Sequence, residues 1–112
     1  MVMPMRLTKP WRPLDGDEVA NLKGTLGVYQ LADLDEQVVL IAFAGGRSLF
    51  GLQGELSHHL EEREPGTTLF RVEENMQYTS RFDELLMVHV SDHGSLPVEN
   101  DDSRRIGRLS PG

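Results

Sequence analysis

Apolar residues fall into two rhythms along this chain, and each rhythm predicts a different element. Leu26 to Leu31 and the run "VVLIAFA" (38–44) are rich in β-branched and large apolar residues, and "ADLDEQ" between them is acidic and turn-forming, so the two pair as a β-hairpin. The second strand is apolar without interruption, which predicts burial on both faces and a central place in a sheet. Further on, "RSLFGLQGELSHHLEERE" places Leu49, Leu52, Leu56 and Leu60 at helical spacing and closes on Pro65-Gly66, with Gly51 and Gly54 loosening its first turns. "TTLFRVEE" alternates as a third strand. "SRFDELLMVHVSDHG" opens on Ser80 and Asp83, spaced like a capping box, puts Phe82, Leu85, Leu86 and Val90 on one face, and stops at Gly94 and Pro97.

The predicted order is β-β-α-β-α: an α+β domain with a three-stranded, mostly antiparallel sheet and flanking helices. A short helix or turn in "LDGDEVANLKG" precedes it. At 112 residues and 38% apolar content the chain supports one modest core. Residues 1–13, with three prolines, are expected to form an N-terminal arm in which Trp11 anchors on the body. Residues 14–100 form the domain, and 101–112 are polar, arginine-containing and expected to be disordered.

Charge sharpens this division. The chain carries a formal net charge of −7, but between Leu14 and Asn100 only five Lys and Arg stand against sixteen Asp and Glu. Positive charge gathers in Arg6, Lys9 and Arg12 and in Arg104, Arg105 and Arg108. Since phosphate backbones are bound chiefly through Lys and Arg, an acidic body argues against nucleic acid as its partner. No cysteine is present, which removes disulfides, thiolate metal sites and a cysteine nucleophile. The longest apolar run is far short of the roughly 20 residues a membrane helix needs, and the opening "MVMPMRLTKP" lacks the apolar stretch of a signal peptide, so no membrane association and a cytoplasmic location are expected.

Several side-chain groups could carry chemistry. His89 and His93, four apart with Asp92 beside them, have the spacing of two metal ligands on one helix face, without an evident third. His58-His59 with Glu61 and Glu62 is a weaker grouping, because adjacent helical residues point about 100° apart. Gly45-Gly46-Arg47-Ser48, between a strand and a helix, is a candidate anion-binding turn, although it lacks the spacing of a P-loop.

Gly27-Val28-Tyr29 on the first strand, an interval of ten residues to Leu40-Ile41-Ala42, the order of elements, the short "LLMVH" helix and Pro97-Val98-Glu99-Asn100 together resemble the GIY-YIG nuclease superfamily over residues 22–100. The resemblance implies a phosphodiesterase site built from two strand tyrosines, a helix arginine, a metal-binding helix glutamate and an asparagine. Residue by residue, Tyr29 and Asn100 remain. Leu40 stands for the second tyrosine, Ala42 for its glycine, Phe43 for a frequent lysine, Glu55 for the arginine and Val88 for the glutamate. A metal acts in such a site as Lewis acid and template, and the arginine meets developing charge; leucine, valine and a reversed charge do neither. Shifted substitutes would be Arg47 and Glu84.

The expected protein is therefore a degenerate, noncatalytic GIY-YIG-like domain serving binding or assembly, with a protein partner or a second copy as its ligand and no cofactor. Two alternatives stand beside it: a residual nuclease or nucleic-acid binder using a divalent metal, and a small-anion or nucleotide-binding protein using the turn at Gly45–Ser48.

Overall fold

The architecture follows from a sheet covered by helices on both faces. The computed structural model describes residues 6–62 and 66–100. In chain order these contain β1 (Arg12–Pro13), α1 (Gly16–Ala20), β2 (Gly27–Ala32), β3 (Val38–Ala44), α2 (Gly51–Glu61), β4 (Leu69–Glu74) and α3 (Tyr78–His93). The strands form one antiparallel sheet in the order β1-β4-β2-β3. The described residues are thus a small α+β domain with a four-stranded sheet and three helices.

Each element has a local cause. The β2–β3 turn is closed by Asp33, whose carboxylate accepts from the backbone N–H groups of Asp35 and Gln37 at 2.9 Å, while Glu36 takes the left-handed conformation (φ 63°). Helix α1 is capped by Asp15, which accepts from Glu18 N at 2.9 Å. Gly27 begins β2 beside β4, so close that a Cβ there would lie 2.1 Å from the Glu73 carbonyl oxygen. The first letter of the Gly-Val-Tyr triplet is thereby a packing requirement of the sheet.

The alternation of strand side chains divides the core in two. Tyr29, Leu31, Leu40, Ala44 and Phe70 meet Leu52 and Leu56 of α2, with Leu14 and Val19. Val28 and Ile41 meet Leu85 of α3 and Leu7 on the other face, flanked by Tyr78, Phe82 and Leu86. Strand β2, flanked by strands and covered on both sides, is buried at every residue.

Four expectations need correction. The sheet has a fourth strand: Arg12 and Pro13, inside the expected arm, pair with Phe70 and Leu69. A two-residue strand containing proline has no alternating pattern to detect. The region also lies on the body, with the Arg71 guanidinium 4.0 Å from the centre of the Trp11 ring. Second, the apolar strand β3 is an edge strand, not a central one. Its apolar run reflects helices over its two faces, which says nothing about its lateral neighbours. Third, α2 begins at Gly51, and Leu49 lies before it, largely exposed; Phe50 and Gly51 both have positive φ, 63° and 56°, which separates the turn from the helix. Fourth, α3 starts at Tyr78, ahead of the Ser80–Asp83 capping box. Asn75 Oδ1 accepts from Gln77 N at 2.8 Å and turns the chain directly from β4 into the helix. The buried face of α3 centres on Leu85, so Val88, about 60° from it around the helix, is buried, and Val90, about 140° away, is exposed. The expected disorder of residues 101–112 lies outside the described residues, as does Pro65.

Candidate functional site

Strand β3 ends the sheet, but helices continue past it on both faces, and the space between them is a cleft of about 360 Å³. From β2 and β3 the cleft takes Tyr29, Leu40, Ile41, Ala42 and Phe43. From α2 it takes Glu55, His58 and His59. Phe82 of α3 and the segment Glu99-Asn100 complete it. Tyr29 and Asn100, together with Leu40, Ala42 and Glu55, were singled out along 72 positions of sequence, and they converge on this one cleft.

Tyr29 is almost entirely buried, and its hydroxyl lies 2.8 Å from His59 Nε2. Its ring meets the imidazole edge to face at 5.4 Å. Tyr29 and His59 can share one proton, the phenol donating to an Nε2 lone pair or Nε2–H donating to the phenol oxygen. Glu55, one helical turn before His59, faces the same side of α2. On the opposite wall Phe43 meets Phe82 edge to face at 5.1 Å and Tyr78 at 5.3 Å. One wall is thus polar and acidic, the other aromatic.

Asn100 has a structural task inside the cleft. Its Nδ2 donates to the Ile41 carbonyl and its Oδ1 accepts from Ile41 N–H, both at 2.8 Å. Glu99 N–H donates to the Val39 carbonyl at 2.8 Å. A side-chain amide here stands in for a neighbouring strand.

The other candidates fall elsewhere. Val88 does not line the cleft; it lies about 9 Å farther along α3 than Phe82 at 1.5 Å per residue, beside Arg6 and Ser91. Phe82 is the α3 side chain that reaches the cleft. Glu84 pairs with Arg81, which also holds Glu73 at 2.8 Å. Burial pushes the Glu73 carboxyl up, but hydrogen bonds from Arg81 and Asn75 with the Arg81 charge outweigh it and hold it below the ordinary value. Glu84 is thus engaged by Arg81 within α3, while Arg81 fastens α3 to β4 through Glu73, and neither Glu84 nor Arg47 lines the cleft.

In the Gly45–Ser48 turn, Gly45 N–H donates to Ser48 Oγ at 3.0 Å and Gly46 N–H to the Tyr78 hydroxyl at 3.1 Å. With Ser48 N–H donating to the Gly45 carbonyl at 2.9 Å, three of the turn's backbone donors are engaged within the protein. His89 and His93 stack at 4.4 Å between ring centres, and Asp92 is bound by Arg6 at 2.6 Å. Burial and the neighbouring His93 push the His89 imidazole below its ordinary value. Among the described residues no three His, Cys, Asp or Glu are grouped to hold a metal ion, and no helix is long and apolar enough to cross a membrane.

His59, Phe43, Phe82 and Glu99 were not expected as one site. The i,i+4 relation of Glu55 and His59 was the available signal for the first. The others depend on tertiary placement.

Residues 5–92 match the sequence family described as Domain of unknown function (DUF7508), which spans more than half of the chain. No curated protein and no solved structure matches it.

Proposed function

We propose, for a chain that belongs to the DUF7508 family of domains of unknown function, a noncatalytic binding role on a GIY-YIG-like scaffold, in which the cleft receives a cationic group with an apolar body from a protein partner. The observation that carries this reading is the make-up of the cleft. Positions that the nuclease resemblance assigns to a tyrosine, a glycine and an arginine are Leu40, Ala42 and Glu55, and they lie together with Tyr29 and Asn100. A phosphate would meet the Glu55 carboxylate at the position that the resemblance gives to an arginine. An arginine or lysine side chain would meet Glu55 on one side and the Phe43 and Phe82 rings on the other, where ion pairing and cation–π attraction act together. The acidic body favours the same class of ligand through long-range attraction, and a cytoplasmic location belongs to the same proposal.

Titration of the ¹⁵N-labelled chain with N-acetyl-arginine methylamide tests it. Amide shifts should concentrate on cleft residues, weaken as salt is raised, and fall at least tenfold in affinity in Glu55→Arg. Shifts with inorganic phosphate or single-stranded DNA, and none with the arginine probe, would overturn the reading.

A second reading rests on the Tyr29–His59 pair, which retains a proton-carrying couple in the cleft and would serve a residual hydrolase assisted by a divalent metal. Supercoiled plasmid incubated with Mg²⁺ or Mn²⁺ beside a Tyr29→Phe control separates the two. Cleavage by the parent alone supports the hydrolase.

A further inference from the structure

Groups from outside the sheet close the outer edge of β3 at Val39, Ile41 and Gly45, and leave Phe43 between them. In an antiparallel pair the N–H and C=O of alternate residues point away from the partner strand. Asn100 takes both groups of Ile41, so the Gln30–Ile41 pair is of the non-hydrogen-bonded kind and Ile41 faces outward. Two residues away the same orientation recurs at Val39, whose carbonyl accepts from Glu99 N–H at 2.8 Å, and at Phe43, and two further on at Gly45. Gly45 N–H is taken by Ser48 Oγ and its carbonyl by Ser48 N–H at 2.9 Å. Phe43 lies between these two closures. Among the described residues nothing hydrogen-bonds its outward N–H or C=O.

The gap opens into the cleft, because the cleft straddles this edge: Glu55 and His58 of α2 lie on one side of the sheet plane, and Phe82 of α3 on the other. A strand added there would project successive side chains alternately to the two walls. Resting on the cationic-group reading above, we infer that the cleft binds an extended peptide segment of alternating basic and apolar residues, which pairs through its backbone with Phe43 and extends the sheet beyond β3. Main-chain pairing supplies registration, basic side chains meet the α2 wall, and apolar ones meet the Phe43–Phe82 rings. The occupant is assigned as a basic partner because the walls and the body supply negative charge.

The test is hydrogen exchange and chemical-shift titration on the full ¹⁵N-labelled chain with acetyl-Arg-Val-Arg-Val-Arg-amide. Three controls accompany it: the same peptide N-methylated at alternate residues, its Glu-for-Arg counterpart, and N-acetyl-arginine methylamide. The expected result is about tenfold slower exchange of the Phe43 amide at saturation, and affinity at least about tenfold weaker for the N-methylated peptide, the scale of two lost hydrogen bonds. Equal binding of the parent and N-methylated peptides without Phe43 protection would leave the cleft reading standing and overturn the edge pairing. Binding of N-acetyl-arginine methylamide alone would do the same. Silence with every probe would overturn both. Equal binding of the Glu peptide would overturn the basic partner. Protection of Phe43 in the chain by itself, whether constant or rising with concentration, would assign the edge to the chain's own residues or to a second copy, and also overturn the proposal.

Discussion

The two edges of this sheet are closed by opposite means. At one end β1 is two residues long, and Pro13 offers no N–H to a further strand. At the other, β3 is seven residues long and apolar, and its outward groups are met by the Asn100 side chain, the Glu99 backbone and the Ser48 turn. Shortness protects the first edge, and substitution of strand partners by local polar groups protects the second. The difference teaches where association can occur. An edge that is too short recruits nothing, whereas an edge covered piecewise can be left open at a chosen residue.

The most severe way to break the comparison is to disturb the strand on which both edges depend. Gly27→Ala would drive a Cβ into the Glu73 carbonyl oxygen, so loss of about 4 kcal/mol or more is expected, read as a collapse of the urea midpoint. Asn100→Ala removes two hydrogen bonds from buried Ile41 and should cost about 2 kcal/mol by the same measurement, together with faster exchange of the Ile41 amide. Only the β3 edge loosens in that variant.

A pH series sharpens the contrast further. The β3 closures are neutral amides and a hydroxyl, whereas β4 is held to α3 by the Glu73 carboxylate, whose value is depressed in the folded chain. A depressed carboxylate contributes its stability fully above its unfolded value, near 4.5, and loses it as pH falls through the folded one. Glu73→Gln should therefore be less stable than the parent by about 1 kcal/mol at neutral pH, a partly solvated pair being worth little more. The two proteins should converge in acid well below pH 4.5. The smallest effect is expected from Pro13→Thr: stability within about 0.5 kcal/mol of the parent and an unchanged sedimentation mass, since two residues give a partner strand too little to hold.

Much of this arrangement was legible in the sequence. The hairpin, the order of its major elements and the acidic body follow from local pattern, because period and turn chemistry are properties of a few neighbouring residues. Tyr29, Leu40, Ala42, Glu55 and Asn100 were named through the nuclease resemblance, and the fold brings these five to one cleft. What escaped is tertiary. Pro13 joins the sheet only because Phe70 and Leu69 lie beside it. The continuous apolar run of β3 registers two covering helices and is silent about a missing lateral strand. Phe82 enters the cleft, whereas Val88, six residues farther along α3, lies beside Arg6, and that placement depends on how the helix packs on the sheet. His59 finds Tyr29 across 30 residues, a separation no local pattern encodes.

The Asn100 closure also has a consequence in time. Ile41 is made 59 residues before the side chain that covers it. At roughly 5–20 residues per second, a ribosome leaves this apolar edge bare for several seconds after the hairpin has emerged. The nascent chain is thus open to wrong strand pairing at β3 through that interval, and a chaperone that holds it until Asn100 emerges would act on β3.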